Sequence, residues 1–425
     1  MTIVVFLASL IGALAIGVPV AFALIFSGIM LMTHMGIFDT QIIAQRMVSG
    51  ANTFTLLAIP FFLLAGELMN AGGLSKRIVN FAIACVGHIR GGLGVVAVVA
   101  AVIMASLSGS AAADTAALAS ILIPMMRDAG YNVPRAAGLM ASGGIIAPVI
   151  PPSIAFIIFG VAANVSITGL FMGGIVPGLM MAITLVITWM IVARKEKVAK
   201  LPKQSGAQRL RATGRAGWAL LMPVIILGGI RFGVFTPTEA AVVAAVYALF
   251  VGMFIYRELK IADLYQVLVN ASKTTSVVLF LVAAALVSSW LITSANIPAE
   301  IRGLIEPLID RPKLLMAVIM ALVLMIGMAL DLAPTILIMT PVLMPIIREA
   351  GIDPVYFGVM FVMNTCIGLI TPPVGIVLNV VSGVSRVPLG QVIVGIAPFL
   401  FAQVVLLFLF IMFPEIITVP LAYLR

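Results

Sequence analysis

Two carboxylates stand out because each lies inside an apolar stretch, beside a segment that weakens a helix. Asp114 follows the small polar residues Ser108-Gly-Ser110. Asp331 lies between Gly327 and Pro334. Ionisable groups within apolar spans are costly and are functional candidates by default. Each carboxylate could cap the N–H groups of the helix that starts at the break, or add negative potential to a cation site. The sequence leaves both roles open.

The breaks themselves offer the oxygen atoms that a hard cation needs. Unwound Gly and Ser segments free backbone carbonyls, and Ser and Thr add hydroxyls, so these segments suit Na⁺. Helix N-termini at the same breaks supply N–H groups and a positive dipole, which suit a carboxylate. A site with both features would couple a cation to an organic anion.

The composition places these segments in a lipid bilayer. The chain has 425 residues, of which 63% are hydrophobic and 9% are charged. A soluble protein could not bury so much apolar surface, so the sequence predicts an all-α polytopic membrane protein. The stretch 194–215 holds a third of all Lys and Arg residues, and the positive-inside rule makes it a cytoplasmic linker. The net charge of +9 therefore indicates orientation, and no basic face with stacking aromatic residues predicts nucleic-acid binding.

Motifs for catalysis are missing from the sequence. It contains no HExxH, GxSxG, Walker A or Rossmann pattern. Cys85 and Cys366 lie in apolar surroundings and support neither a disulfide framework nor a metal motif. We therefore expect no enzyme, no cofactor apart from a coupling ion, and no ATP-driven pump.

A segment of the chain recurs 221 positions later without a gap. Leu122-Ile-Pro-Met-Met-Arg-Asp-Ala-Gly matches Leu343-Met-Pro-Ile-Ile-Arg-Glu-Ala-Gly, and Ile146–Pro152 matches Ile367–Pro373. An internal repeat with matching Gly and Pro breaks is typical of secondary transporters. Counting crossings from the basic linker puts the two matching loops on opposite faces if 277–292 is a hairpin that does not cross the membrane, and the repeats are then inverted. Whether 2–33 and 216–256 are each one bent span or two stays open.

The repeat divides the chain into 1–193 and 216–425. In each half a polar cluster leads into a short apolar run, at Asn52 to Thr55 and at Lys273 to Ser276. Each could belong to a re-entrant hairpin, and the alternative is an interfacial cap before a plain spanning helix. We expect hairpins near 40–71 and 272–292, and discontinuous helices near 91–126 and 314–347. The pairs Pro151-Pro152 and Pro372-Pro373 break the next span of each half.

Several motifs follow one another along nearly the whole chain. They are Gly17-Val-Pro-Val-Ala-Phe-Ala, Leu56-Leu-Ala-Ile-Pro-Phe-Phe, Ser108-Gly-Ser-Ala-Ala-Ala-Asp114, Pro151-Pro-Ser, Pro341-Val-Leu-Met-Pro345 and Thr371-Pro-Pro-Val-Gly375. With these motifs, in this order, the chain resembles the large membrane subunit of tripartite ATP-independent periplasmic (TRAP) transporters. The resemblance implies inverted repeats with two re-entrant hairpins and two discontinuous helices, in the elevator-type ion transporter superfold. One hairpin would open to the cytoplasm and the other to the periplasm.

The resemblance also implies the site. Na⁺ would bind where a hairpin tip meets a break, and the substrate would lie between the two clusters. The candidate ion-binding residues are Asn52, Thr53, Ser106, Ser108, Gly109, Ser110, Asp114, Thr274, Thr275, Ser276, Gly327, Asp331, Thr335 and Thr371. The candidate substrate-binding residues are Pro152, Ser153, Asn364, Thr365 and Pro372.

The function that we expect is sodium-coupled import of an organic or sugar acid across a bacterial inner membrane. The family implies two partners, a small four-helix membrane subunit and a periplasmic solute-binding protein that delivers the carboxylate. The chain begins at its first span, so we expect a separate small subunit. A stand-alone anion symporter or exchanger of the same superfold is the alternative. A lipid-processing enzyme or assembly factor is a further one, and it would need converging catalytic side chains that the sequence does not show.

Overall fold

The computed structural model describes residues 2–194, 201–297 and 308–424, which form helices joined by short turns and contain no strand. Within these residues, seven helices are long and apolar enough to cross a membrane. The predicted all-α, multi-pass architecture is confirmed. Residues 195–200 of the basic stretch lie outside the described residues, and helix already begins at Gly206, so the expected linker 194–215 is partly helical.

The helices of the first half are joined by turns and by one long interruption before α9. They are α1 (Thr2–Ala15), α2 (Val20–His34), α3 (Thr40–Ala51), α4 (Ala58–Ala71), α5 (Leu74–Val86), α6 (Gly92–Ser108), α7 (Ala111–Asp128), α8 (Val133–Gly144), α9 (Ile154–Ala163) and α10 (Ile167–Ala193).

The second half repeats the later part of this order. Its described helices are α11 (Gly206–Arg231), α12 (Pro237–Phe250), α13 (Ile261–Ser294), α14 (Pro312–Gly327), α15 (Leu332–Glu349), α16 (Pro354–Gly368), α17 (Ile376–Ser385), α18 (Leu389–Met412) and α19 (Glu415–Leu424). The bounds of α7 and α15 differ by the same 221 residues as the sequence repeat, and so do the starts of α8 and α16.

The helices α6 and α7 form a hairpin whose two ends lie on one face of the molecule. The indole of Trp189, near the end of α10, donates a 2.8 Å hydrogen bond to the carbonyl of Gly91, directly before α6. The same indole stacks on Tyr131, directly after α7, with ring centroids 5.8 Å apart. The chain therefore reverses at Gly109 and Ser110, between the two helices.

The helices α14 and α15 form the matching hairpin. Lys313, in the first turn of α14, donates to the carbonyl of Met412 at 2.9 Å. Tyr356, just after α15, donates to Phe410 at 2.9 Å on the same end of α18. This chain reversal lies at Met328 to Asp331.

Two arginines show that the hairpins enter from opposite faces. Arg127, at the end of the first hairpin, donates to the Ser385 carbonyl that ends α17. Arg348, its repeat counterpart, donates to the Ala163 carbonyl that ends α9. The open end of the first hairpin therefore lies beside the C-terminus of α17, and the open end of the second lies beside the C-terminus of α9. This crosswise pairing of the two halves is what an inverted repeat requires.

The spans after the hairpins are the discontinuous helices. The helix pair α8 and α9 is interrupted over residues 145–153, and α16 and α17 are interrupted over 369–375. The tandem prolines lie in these interruptions, and the peptide bonds Pro151-Pro152 and Pro372-Pro373 are both cis. The predicted positions 91–126 and 314–347 thus belong to hairpins, because the chain turns back there and does not continue across.

The hairpin expected near 272–292 is wrong, because α13 runs through this stretch without a break. The hydroxyl groups that suggested a hairpin tip form hydrogen bonds with carbonyls of the same helix. Thr274 donates to the carbonyl of Asn270 at 3.2 Å, and Ser276 donates to the carbonyl of Ser272 at 2.8 Å. A long helix can hold such hydroxyls without turning, because the carbonyl four residues earlier accepts them.

The hairpin expected near 40–71 is also not formed. The chain does bend at Asn52 and Thr53, but α3 then packs against α13 and not against α4. Arg46 lies 4.7 Å from the ring centroid of Trp290, and a Cβ on Gly50 would touch Leu286. We call α1 to α4 and α11 to α13 the scaffold helices, and α6 to α9 with α14 to α17 the hairpin core.

The opposite entry of the hairpins can be tested by labelling two repeat-equivalent positions. In a variant lacking Cys85 and Cys366, Asp128→Cys should react with a membrane-impermeant maleimide from the cytoplasmic side only, because the basic stretch marks that side. Glu349→Cys should react from the periplasmic side only. Labelling of both from one side would contradict the inverted arrangement.

Candidate functional site

The tip of the first hairpin rests on the interruption of the first discontinuous helix. Gly109 ends α6 with φ +62°, and a Cβ there would lie 3.0 Å from the Pro152 carbonyl oxygen. Only glycine adopts this conformation at little cost, and only a hydrogen side chain leaves room for the neighbouring backbone. Ser110 then caps α7 by accepting a 3.4 Å bond from the N–H of Ala113.

Several buried oxygen atoms beside this tip have no hydrogen-bond partner. Asp114 is 2% exposed, and its Oδ1 accepts a 2.5 Å hydrogen bond from the Ser108 hydroxyl. The second oxygen, Oδ2, is buried and unpaired, as is the hydroxyl of Thr115. The Ser142 hydroxyl on the neighbouring helix α8 is also buried and unpaired, but Gly144, two residues later, is the residue that faces Thr115, so Ser142 points away from α7. Buried polar atoms normally have partners, so unsatisfied oxygens call for an explanation such as an ion or water. Their chemistry fits a hard cation.

The tip of the second hairpin meets the second discontinuous helix in the same way. The N–H of Gly375 donates to the Met328 carbonyl at 3.3 Å. A Cβ on Gly327 would lie 3.4 Å from Gly368. Asp331 caps α15 through a 2.8 Å bond from the N–H of Leu332, and the Thr335 hydroxyl donates to the Asp331 carbonyl. The two tips therefore share one packing principle but use different side chains.

A cavity of about 180 Å³ lies between the tips of the two hairpins. The hairpin core contributes most of its wall, and the scaffold contributes Leu63 of α4 with Thr274 and Val278 of α13. The N-termini of four helices, α7, α9, α15 and α17, meet at this cavity. Their first residues in its wall are Ser110, Ala111, Ala112, Ile154, Ala155, Leu332, Ala333, Ile376 and Val377.

The cavity favours a negatively charged ligand through backbone groups. Among the described residues, the first-turn N–H groups have no hydrogen-bond partner at Ala111, Ala112, Ile154, Ala155, Ala333 and Ile376. Free N–H groups and the positive ends of four helix dipoles together form an anion site. The described lining includes no Lys or Arg, and its one charged side chain is Asp331. A carboxylate would thus be held by N–H groups without an arginine clamp.

Half of the expected ion-binding residues lie at these two tips. The first tip contains Ser108, Gly109, Ser110 and Asp114, and the second contains Gly327, Asp331 and Thr335. Thr274 also reaches the cavity, but from the scaffold. Thr275 and Ser276 lie on the continuous helix α13 outside the cavity lining.

The remaining ion candidates lie elsewhere. Asn52 and Thr53 follow α3, and Thr53 lines a surface cavity with Asn164 and Pro237. Ser106 donates to the Ile103 carbonyl of its own helix. Thr371, in the second interruption, donates to the Ile367 carbonyl at 2.7 Å, so its hydroxyl hydrogen is occupied.

None of the five expected substrate residues lines the cavity. Ser153 is fully buried, where it donates to the Pro148 carbonyl and caps α9. Asn364 donates to Met320, and Thr365 donates to Phe361. Pro152 packs under the first tip through its carbonyl, and Pro372 lies in the second interruption. These side chains shape the backbone around the cavity.

Two residues with unsatisfied oxygens escaped the sequence analysis. Thr115 follows Asp114 directly, and a Cβ on Gly144 would collide with its hydroxyl. Ser142 lies two residues before Gly144 on α8 and is fully buried. The signal that could have found Thr115 is its place beside a candidate carboxylate. Ser142 has no such signal, because only the fold brings α8 to the hairpin.

Comparison with known proteins identifies the family. Residues 7–416 match the family model of the tripartite ATP-independent periplasmic transporter, DctM component. The chain belongs to the TRAP large permease family. It is 56% identical, over the full length of both chains, to the 2,3-diketo-L-gulonate TRAP transporter large permease protein YiaN of Escherichia coli. It is 39% identical to the sialic acid TRAP transporter large permease protein SiaM of Vibrio cholerae, covering 95% of each chain.

A solved structure shares the fold of this TRAP permease. The Alcanivorax borkumensis YdaH transporter, described as having an unusual topology, superposes with a TM-score of 0.65. The match covers 88% of each chain at 15% identity, so it concerns the fold alone. The family membership and the apolar helices make this chain a multi-pass membrane permease and not an enzyme.

The contact of the first tip can be tested with a matched pair of glycine variants. Gly109→Ala and Gly351→Ala each force alanine to a positive φ, of 62° and 68°, which costs about 1 kcal/mol of stability. Only Gly109→Ala also presses a Cβ against Pro152, whereas Gly351 faces open space. We expect both to lower the thermal unfolding temperature and only Gly109→Ala to impair uptake. Normal uptake by Gly109→Ala would contradict the close tip contact.

Proposed function

We propose that this TRAP permease performs sodium-coupled import of an organic or sugar acid. The observation that carries the proposal is the convergence of four helix N-termini on one cavity, beside buried oxygens that lack partners. The first feature favours an anion, and the second favours a hard cation. A permease with adjacent sites of both kinds can draw on an ion gradient to move an acid.

Na⁺ is the coupling ion that the first cluster suits best. Asp114 supplies one unpaired carboxylate oxygen, and Thr115 supplies a hydroxyl. These are oxygen donors without nitrogen or sulfur, the set that hard cations prefer. A second ion would bind at the other tip, beside Gly327 and the Asp331 carboxylate, where the backbone of Thr365 packs on Gly327.

The substrate that we propose is a sugar acid of the diketogulonate class. A relative of the same length is named for 2,3-diketo-L-gulonate and is 56% identical to this chain. Other relatives are named for sialic acid and for C4-dicarboxylates, which share only the carboxylate. A cavity that holds a carboxylate through backbone N–H groups suits this shared group.

Membership of the family suggests two partner proteins and a movement of the hairpin core against the scaffold. A small membrane subunit would complete the scaffold, and a periplasmic binding protein would deliver the acid. The cavity lies between hairpin core and scaffold, with Thr274 and Val278 on the scaffold side. A core that slides past α13 would expose the cavity to each side in turn, which is an elevator mechanism.

The ion site can be tested at two carboxylates of one helix. Asp114→Asn removes the buried negative charge, so the Na⁺ concentration for half-maximal uptake should rise about tenfold or more. Asp128→Asn is the matched control, because Asp128 is exposed at the other end of α7. Unchanged Na⁺ dependence in a well-expressed Asp114→Asn protein would exclude this carboxylate from the ion site.

The function can be tested in proteoliposomes that hold the chain and its small subunit. With an inward Na⁺ gradient and the binding protein, 2,3-diketo-L-gulonate should accumulate, and omission of either should abolish uptake. Sialic acid and a C4-dicarboxylate serve as competing acids. Uptake by the chain alone would indicate a stand-alone carrier, and Na⁺-independent uptake would contradict sodium coupling.

A further inference from the structure

A second cavity, of about 450 Å³, lies where α5, α11 and the segment that follows α12 meet. It shares no lining residue with the central cavity. Three cations, Lys76, Arg77 and Arg215, line it with a single acid, Glu258. These groups give the cavity a net charge of +2. Such an excess within one cleft attracts an anion.

Two of the three cations have no side-chain partner among the residues that the structure describes. Arg77 is bound on three sides, by an ion pair to Glu258 at 2.7 Å, a bond to the Gly73 carbonyl, and the ring of Tyr256 at 3.9 Å. Among the described residues, neither Lys76 nor Arg215 has an ion pair or a hydrogen bond from its side chain. The fixed arginine holds the shape of the cavity, and the two free cations supply its charge.

The cavity lies at the cytoplasmic level of the membrane. Arg215, in the first half of α11, is the last residue of the basic stretch 194–215 that marks the cytoplasmic side. Trp218, in the cavity wall, is 44% exposed. Leu221, one turn further into the apolar part of α11, is 42% exposed. Tryptophan commonly lies where headgroups meet acyl chains, so an outward-facing Trp218 between cations and Leu221 fits that boundary.

We propose that this cavity binds the phosphate headgroup of an anionic phospholipid of the cytoplasmic leaflet. Lys76 and Arg215 would contact the phosphate, since both cation types bind phosphate oxygens. An acyl chain would cover Trp218 and Leu221. A soluble phosphate compound could use the same cations, but it would leave that exposed apolar surface uncovered. The phospholipid accounts for both parts of the site.

The position of the cavity gives such a lipid a mechanical consequence. The helix α5 packs against α11 of the scaffold and against α6 of the first hairpin. A headgroup that contacts both Lys76 on α5 and Arg215 on α11 would hold α5 against the scaffold. Since α5 directly precedes α6, the lipid would restrict movement of the first hairpin relative to the scaffold.

The test uses the full chain purified with its small subunit and native mass spectrometry. Phosphatidylglycerol and phosphatidylcholine are supplied in equal amounts, and the lipid retained by the complex is measured. The double variant Lys76→Gln, Arg215→Gln should bind phosphatidylglycerol about thirtyfold more weakly, because two surface cations are lost. Lys203→Gln removes an exposed cytoplasmic charge outside the cavity and should bind like the unaltered protein.

Three results would overturn the proposal. The complex could retain both lipids equally, which would leave the charge of the cavity without effect. The double variant could match Lys203→Gln, which would place lipid binding elsewhere. Millimolar inorganic phosphate could displace phosphatidylglycerol and raise the unfolding temperature as much as the lipid does, which would show a site for soluble phosphate. Both substituted side chains are exposed, so we expect the double variant to fold normally.

Discussion

The structure depends on covering backbone that is not helical at membrane depth. In a bilayer, unpaired N–H and C=O groups are tolerated only where they face protein or a water-filled cavity. Here each hairpin tip covers the interruption of a discontinuous helix, through Gly109 on Pro152 and through the bond from Gly375 to Met328. The N–H groups left over face one shared cavity. The same constraint that stabilises the fold therefore creates the candidate site.

Much of this architecture could be predicted, because the internal repeat and the Gly, Pro and Ser residues that interrupt helices are visible in the sequence itself. The offset of 221 residues matches the bounds of α7 and α15, and the break predicted at Ser106 to Ser110 is present, although it forms a hairpin tip and not the middle of a discontinuous helix. The path of the chain after each break could not be predicted. A Gly-Ser break looks alike in a hairpin and in a discontinuous helix. The contacts that decide between them, such as Trp189 with Gly91 and Tyr131, join residues far apart in sequence.

The candidate substrate residues stay a prediction, and the structure places none of them in the wall of the central cavity. Ser153, Asn364 and Thr365 lie near the predicted breaks and carry side chains that can donate hydrogen bonds. In the structure those groups satisfy carbonyls within the hairpin core and its helix ends. The donors that remain free belong to the backbone of Ala111, Ile154 and Ala333. Residue type does not reveal such donors, since any residue in a first helical turn provides them.

The placement of the two carboxylates offers a physical route to coupling. Asp114 lies in the first turn of α7, and Asp331 caps α15, so both are next to N-termini that face the cavity. A negative charge there offsets the positive potential of the helix N-terminus, and it repels an incoming carboxylate. A cation bound at either aspartate would cancel that repulsion and strengthen the anion site. The anion would strengthen cation binding by the same factor, because linkage between two sites is reciprocal.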